Sequence, residues 1–186
     1  MTDFSGKKIL VVGGAGFVGS NLCNKLLEHD IKNLIVVDNL LSADISRVSD
    51  DKRLDFIHGS ITEDSILYGL PEDLDYVFHL ATYHGNQSSI EDPLKDHENN
   101  TLTSLKLFDR ISRFKSLKKV VYSSAGCTVA KKTFDDADAT VEQEDVSLYL
   151  DSPYQMSKIF GEFYGNYYYM RYNMPFVKAR FQNVYG

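Results

Sequence analysis

A chain of 186 residues, 43% of them hydrophobic, has the length to bury one core, while two full domains would be cramped. A formal charge of −6 with no block of Lys and Arg excludes an extended basic face for nucleic acid, so an anionic ligand must be held by local donors. Cys23 and Cys127 offer neither a disulfide framework nor metal-ligand spacing, and no basic-then-apolar leader opens the chain. With no apolar run near the roughly twenty residues that span a bilayer, the expected setting is cytoplasmic and away from membranes.

The first apolar run predicts a strand over 9–12 that turns through Gly13, Gly16 and Gly19 into a helix over 17–28. Three glycines at this spacing have a physical use: the first permits a tight turn, the second lets backbone approach a pyrophosphate, and the third lets the helix pack closely. The phosphates would rest on the amide end of that helix. Loops without a nucleotide also collect glycines, so context decides. A second predicted strand, 34–37, ends in Asp38, at the distance expected of an acid that accepts from a ribose 2′-hydroxyl, which argues for NAD over NADP. The plainer alternative is a turn residue before Asn39.

Further strands are predicted over 55–57, 76–80, 119–123 and 176–181, and helices over 63–68, 93–114 and 153–172, with Pro93 and Pro153 suited to first helical turns. The flat, unalternating apolar runs suit strands buried on both faces. The expected fold is therefore α/β, a Rossmann-like doubly wound parallel sheet flanked by helices, with ligands at the carboxyl ends of the strands. One irregular acidic stretch, 130–152, reads either as a solvated loop or as a substrate lid.

Tyr154 and Lys158 stand four apart near the start of the last predicted helix, so both side chains share a face. An ammonium beside a phenol favours the phenolate, which lets tyrosine act as a general base. About one such pair is expected by chance in this composition, so its weight comes from position. It comes after the strand that ends in Ser123 and Ser124, at the sheet edge where ligands bind.

Together these residues resemble the extended short-chain dehydrogenase/reductases, specifically the NAD-dependent nucleotide-sugar epimerases and dehydratases. The ordered series runs through the glycine turn, Asp38-Asn39-Leu40, Gly59-Ser60-Ile61, His79-Leu80-Ala81-Thr82, Asp92-Pro93 with Asn99-Asn100, Ser123-Ser124, the Tyr154/Lys158 pair and Arg180-Phe181-Gln182-Asn183-Val184-Tyr185-Gly186. The resemblance implies pyrophosphate and ribose contacts from Gly13, Gly16, Phe17 and Val18, and adenosine ribose contacts from Asp38 and Asn39. It places Ser60 and Ile61 beside the adenine, and Leu80, Ala81 and Thr82 under the cofactor, with Asn100 behind them and Ser123 at the sheet edge. It makes Tyr154 and Lys158 catalytic, sets Phe181 near the nicotinamide, and gives Ser89 a sugar contact and Asn183 a phosphate contact. Leu80 and Phe181 also read as plain core, and Ser60 as a helix cap.

Many relatives complete a triad with a third hydroxyl, where this chain has Ala125; Ser124 is the expected replacement, with Thr128 as the alternative. The family's dehydratases place an Asp-Glu pair just after that hydroxyl, whereas Ala125-Gly126-Cys127 carries no acid. Epimerisation is therefore the expected reaction, with dehydration or keto-sugar reduction, aided by His84 or a loop acid, as the alternative. A non-catalytic dinucleotide-binding module is the rival from another class, and the Tyr154/Lys158 pair argues against it. Relatives lead from this point into a C-terminal substrate domain, so residues 1–186 are expected to be the NAD-binding domain with that second domain absent or truncated. The resemblance also implies a homodimer through two long helices, here 101–114 and 160–172.

Overall fold

The computed structural model describes residues 3–83, 85–129 and 150–185. Strands and helices follow one another as β1 (Lys8–Val12), α1 (Phe17–Leu27), β2 (Asn33–Asp38), β3 (Leu54–His58), α2 (Asp64–Gly69), β4 (Tyr76–His79), α3 (Asn86–Glu91), α4 (Pro93–Asp96), α5 (Thr103–Ile111), β5 (Lys119–Ala125), α6 (Pro153–Tyr172) and β6 (Phe176–Phe181). The six strands form one parallel sheet in the order β3-β2-β1-β4-β5-β6. The order reverses between β1 and β4, and a ligand crevice belongs at that point.

Alternate residues of one strand feed two cores. Ile9, Val11, Leu34 and Val36 pack with Cys23 and Leu26 of α1 on one face, while Leu10, Val12, Ile35 and Val37 join Leu107, Phe108 and Ile111 of α5 on the other. Burial on both faces is why these strands read as continuous apolar runs.

The predicted helix over 93–114 is found as α4, a π-helical turn at His97–Leu102, and α5, with helical backbone at both junctions. A π turn inserts one residue and rotates the next helical turns about the axis, so Asn100 and Thr101 are both buried. Helix α3 has no counterpart among the predicted elements, since its NQSSIE run has no apolar period. Strand β5 extends to Ala125, so Ser123 and Ser124 lie inside the strand. His84 and residues 130–149 of the acidic stretch lie outside the described residues. Among those described, no helix is long and apolar enough to cross a membrane.

Helix α6 carries its own start and stop signals. Ser152 accepts a hydrogen bond from the Gln155 amide, the Gln155 side chain accepts from the Asp151 amide, Pro153 opens the first turn, and Asn173 closes the helix at φ 53°. Gly161 and Gly165 let the helix lie directly on Tyr122 and Phe176, where any Cβ would collide with the rings. That close seat sets the height of Tyr154 and Lys158 above the end of β5.

Candidate active site

The turn after β1 needs glycine for two reasons. Gly13 has φ +83°, and a Cβ there would stand 2.5 Å from the Ala81 amide nitrogen at the end of β4. Gly19 is packed against the Gly13 carbonyl and Gly14, so its missing side chain admits the turn itself rather than the strand. Among the described residues beyond its chain neighbours, a Cβ added at Gly16 would meet only the Gly13 carbonyl, at 3.5 Å, which leaves the approach to the α1 amides open. No acidic side chain fills the first turn of α1, and no side chain caps it.

A cleft of about 350 Å³ opens here, lined by Gly13, Gly16, Phe17, Val18, Asp38, Asn39, Ser60, Ile61, Leu80, Ala81 and Thr82 among others. A second cleft of about 230 Å³ is lined by Ser123, Ser124, Tyr154, Lys158 and Phe181. Val18, Leu80 and Thr82 line both, so the two form one groove from the end of β2 to the end of β5. Arg47 and Ser42 also border it, with nothing in their sequence surroundings to mark them, as do Gln182 and Val184 from the Arg180–Gly186 series.

Asp38 is buried, with one carboxylate oxygen accepting from the Ala15 amide and the other from the Leu40 amide, each at 2.9 Å. Each oxygen keeps a lone pair for a ligand hydroxyl. The Ser60 hydroxyl accepts from the Thr62 amide and the Ser60 amide donates to Glu63, which precedes α2 without a side-chain cap bond, so Ser60 shapes the turn rather than the helix start. Leu80 is half-buried and Phe181 is 36% exposed; neither is plain core. Cys23 is buried beside Asp38, and burial and that charge push its thiol up to about 12, which leaves it unreactive.

Lys158 is buried, donates to the Ser123 carbonyl at 2.9 Å, and lies over the Tyr122 and Tyr154 rings. Burial pulls its ammonium down to about 8, against the opposing charge of Asp96. The phenol of Tyr154 is pushed up to about 12 by burial. The lowering expected from Lys158 is not among the causes of this shift: burial raises the phenol most, and the charges of Cys127 and Asp96 raise it further.

The structure separates the candidate hydroxyls. Ser124 donates to Glu162 at 2.5 Å, and Thr128 donates to the Ala125 carbonyl at 2.7 Å. Thr82 donates to the Asn100 side-chain oxygen at 3.3 Å and lines the same cleft as Tyr154. Glu162, in turn, is held by a two-pronged Arg180 contact at 2.8 Å on each oxygen, with Lys178 at 3.7 Å. Sequence reasoning misses this pair, although a charge in each of two otherwise packed elements is its signal.

Three predicted contacts stand away from the groove wall. Asn100 is buried behind it, where its carbonyl accepts from the Tyr83 amide at 2.7 Å and from Thr82 at 3.3 Å. Ser89 is fully buried, donating to the Asn86 carbonyl and accepting from the Tyr154 amide, so it fixes the start of α6. Asn183 is exposed, and its neighbours Gln182 and Val184 line the cleft instead.

His79 lies under the groove. Ser104 donates to the Asn100 carbonyl, so it accepts from His79 Nε2, and His79 Nδ1 is left buried without a partner. Burial and the Lys158 charge lower its imidazole from 6.5 to about 3. A depressed pKa makes protonation favour the unfolded chain, so stability present above pH 6.5 is lost as pH falls towards 3. We expect His79 to contribute a slope of roughly 1.4 kcal/mol per pH unit in that window. Urea unfolding at pH 7 and pH 5 checks it, since a His79→Gln chain should lose that part of the slope.

The NAD dependent epimerase/dehydratase family model matches residues 9–186. The chain is 30% identical to the UDP-glucose 4-epimerase of Streptococcus mutans, covering 96% of this chain and 52% of that one. It is 31% identical to the dTDP-D-glucose 4,6-dehydratase of Dictyostelium discoideum, covering 97% and 44%. Among solved structures, Bordetella bronchiseptica WbmF in complex with NAD+ and UDP superposes with a TM-score of 0.88 at 56% identity, over 98% of this chain and 51% of that one. The chain thus spans about half the length of the relatives it matches. With a glycine turn, an acid-ended second strand and a Tyr154/Lys158 pair on one groove, and with the family model matched along nearly its whole length, the chain belongs to the NAD-dependent epimerase/dehydratase family.

Proposed function

We propose that this chain binds NAD and supplies the catalytic base of a nucleotide-sugar epimerase. The observation that carries the reading is the single groove, which joins the open α1 amides to Tyr154 and Lys158 through Val18, Leu80 and Thr82. The α1 amides and Gly16 hold the pyrophosphate, Asp38 and Asn39 the adenosine ribose, and Ser60 and Ile61 border the base. Bound NAD+ supplies a hydride acceptor and a positive charge beside the Tyr154 phenol. That charge favours the phenolate, countering the burial that holds the phenol high. Tyr154 accepts the proton of a sugar hydroxyl and returns it after the sugar has presented its other face, while Lys158 stays charged and fixes the Ser123 backbone.

The Streptococcus relative supports epimerisation of a nucleotide sugar, and the Dictyostelium relative keeps a 4,6-dehydratase as the second reading. The absence of an acid at residues 125–127 favours the first. Product analysis separates them, because elimination of water changes the mass and epimerisation does not. Assembly of two copies through the outer face of α6, where Phe160, Phe163 and Tyr167 are each about half exposed, belongs to the same proposal.

Calorimetric titration of this chain with NAD+ and with NADP+ tests the cofactor reading directly. We expect NAD+ to bind at least about tenfold more tightly, since a 2′-phosphate would face the Asp38 carboxylate. Equal affinities would remove the role of Asp38, and no binding of either would remove the reading.

A further inference from the structure

Gln182 directly follows β6 and borders the cleft that holds Tyr154 and Lys158. Its carboxamide lies against the backbone of Gly126, the first residue of the turn after β5: a Cβ at Gly126 would collide with the amide nitrogen, carbon and oxygen alike. Gly126 has no left-handed φ, so it is the space, not the turn, that calls for glycine here. Gly126 is buried and Gln182 is exposed, so the glycine gives the amide a seat at the cleft wall. Three polar side chains of the same cleft are committed to the protein: Ser124 donates to Glu162, Thr82 to Asn100, and Lys158 to the Ser123 carbonyl. Among the described residues, no hydrogen bond engages the Gln182 carboxamide. It carries two N–H donors and an acceptor oxygen, beside a strand end, Ala125-Gly126-Cys127, that has neither a hydroxyl nor an acid.

We propose that Gln182 is a specificity-determining residue that hydrogen-bonds a ring hydroxyl of the sugar, and that Gly126 serves this contact by seating the carboxamide. The proposal rests on the nucleotide-sugar reading of the groove. A ring hydroxyl both donates and accepts, and a carboxamide can answer it in either sense. A site that offers such a bond disfavours a ligand without the hydroxyl, because its own polar group is then left unpaired. Gly126 and Gln182 therefore act as one unit, and a change at the first is felt through the second.

NMR of the NAD-loaded, nitrogen-labelled chain, titrated with UDP-glucose and separately with UDP, reads the contact without any assay of turnover. The side-chain amide pair of Gln182, assigned with Gln182→Leu, is expected to move with UDP-glucose and to stay in place with UDP. Gln182→Leu, which keeps the bulk and removes the amide, should weaken UDP-glucose by about tenfold and leave UDP unchanged. Gly126→Ala should do the same, and the double variant should bind no more weakly than Gln182→Leu alone. NAD affinity close to that of the wild type shows that each variant folds. If Gln182→Leu does not fold, Gly126→Ala decides alone, since only the flexible end of Gln182 has to move to admit it. Equal UDP-glucose affinity in wild type and variant would overturn the proposal, as would an equal weakening of UDP or a further loss in the double variant. An unmoved Gln182 amide, while other signals of the cleft respond to UDP-glucose, overturns the contact alone. If UDP-glucose moves none of them, the nucleotide-sugar reading falls, and the contact falls with it.

Discussion

Replacing Tyr154 by Phe is expected to slow turnover of the nucleotide sugar by roughly 10²–10⁴-fold, the usual cost of losing a positioned acid-base group. NAD affinity should stay close to that of the wild type, because the phenol is one wall group among many and the Thr82 hydroxyl keeps its bond to Asn100. The rate of cofactor reduction by substrate, tracked by the near-ultraviolet absorbance of the reduced nicotinamide, measures the first quantity, and calorimetry measures the second. Retained turnover would exclude Tyr154 as the base. A parallel loss of NAD affinity would show that the phenol supports the groove rather than the chemistry.

The largest expected effect on stability comes from Glu162→Ala. Glu162 is 1% exposed and receives Arg180 on both oxygens, Ser124 on one, and the Lys178 ammonium nearby. Its removal takes the two-pronged carboxylate partner from Arg180 and the acceptor from the buried Ser124 hydroxyl, at a cost of about 3–5 kcal/mol. Urea unfolding at pH 7 measures it, and a loss below about 1 kcal/mol would mean that Arg180 escapes to water. Burial alone would raise the Glu162 carboxyl, but the bonds from Arg180 and Ser124 and the charges of Arg180 and Lys178 hold it below its ordinary 4.5. A lowered carboxyl contributes stability that is complete above pH 4.5 and disappears as pH falls through the native value. The wild type should therefore lose stability below pH 4.5 more steeply than Glu162→Ala.

Much of this architecture is legible in the sequence. The α6 bounds come from Ser152, Pro153 and Asn173, each of which acts locally, and β6 from a segment that opens on Phe176-Val177 and closes on Phe181. Asp38 and the glycine turn are readable because their spacing is imposed by a single strand-turn-helix unit. The hidden features depend on contacts between distant segments. Helix α3 is held by Ser152 on Asn86 and by the Tyr154 amide on Ser89, neither of which has a local signature. The π turn shifts the helix phase by one residue, which a period count over a mixed polar segment does not resolve. Sequence position likewise cannot reveal that Ser124 is already engaged by Glu162 from another element.

The strand order also measures length. Asp38 ends β2 and Ser124 is the last residue but one of β5, with β1 and β4 between them. Three strand spacings separate the two ends, about 14 Å at the usual spacing of neighbouring strands. A molecule anchored at Asp38 reaches the reactive end only if it lies stretched over β1 and β4, so the sheet discriminates by span before any side chain discriminates by chemistry. A compact nucleotide, however well it fits the first cleft, falls short of Lys158.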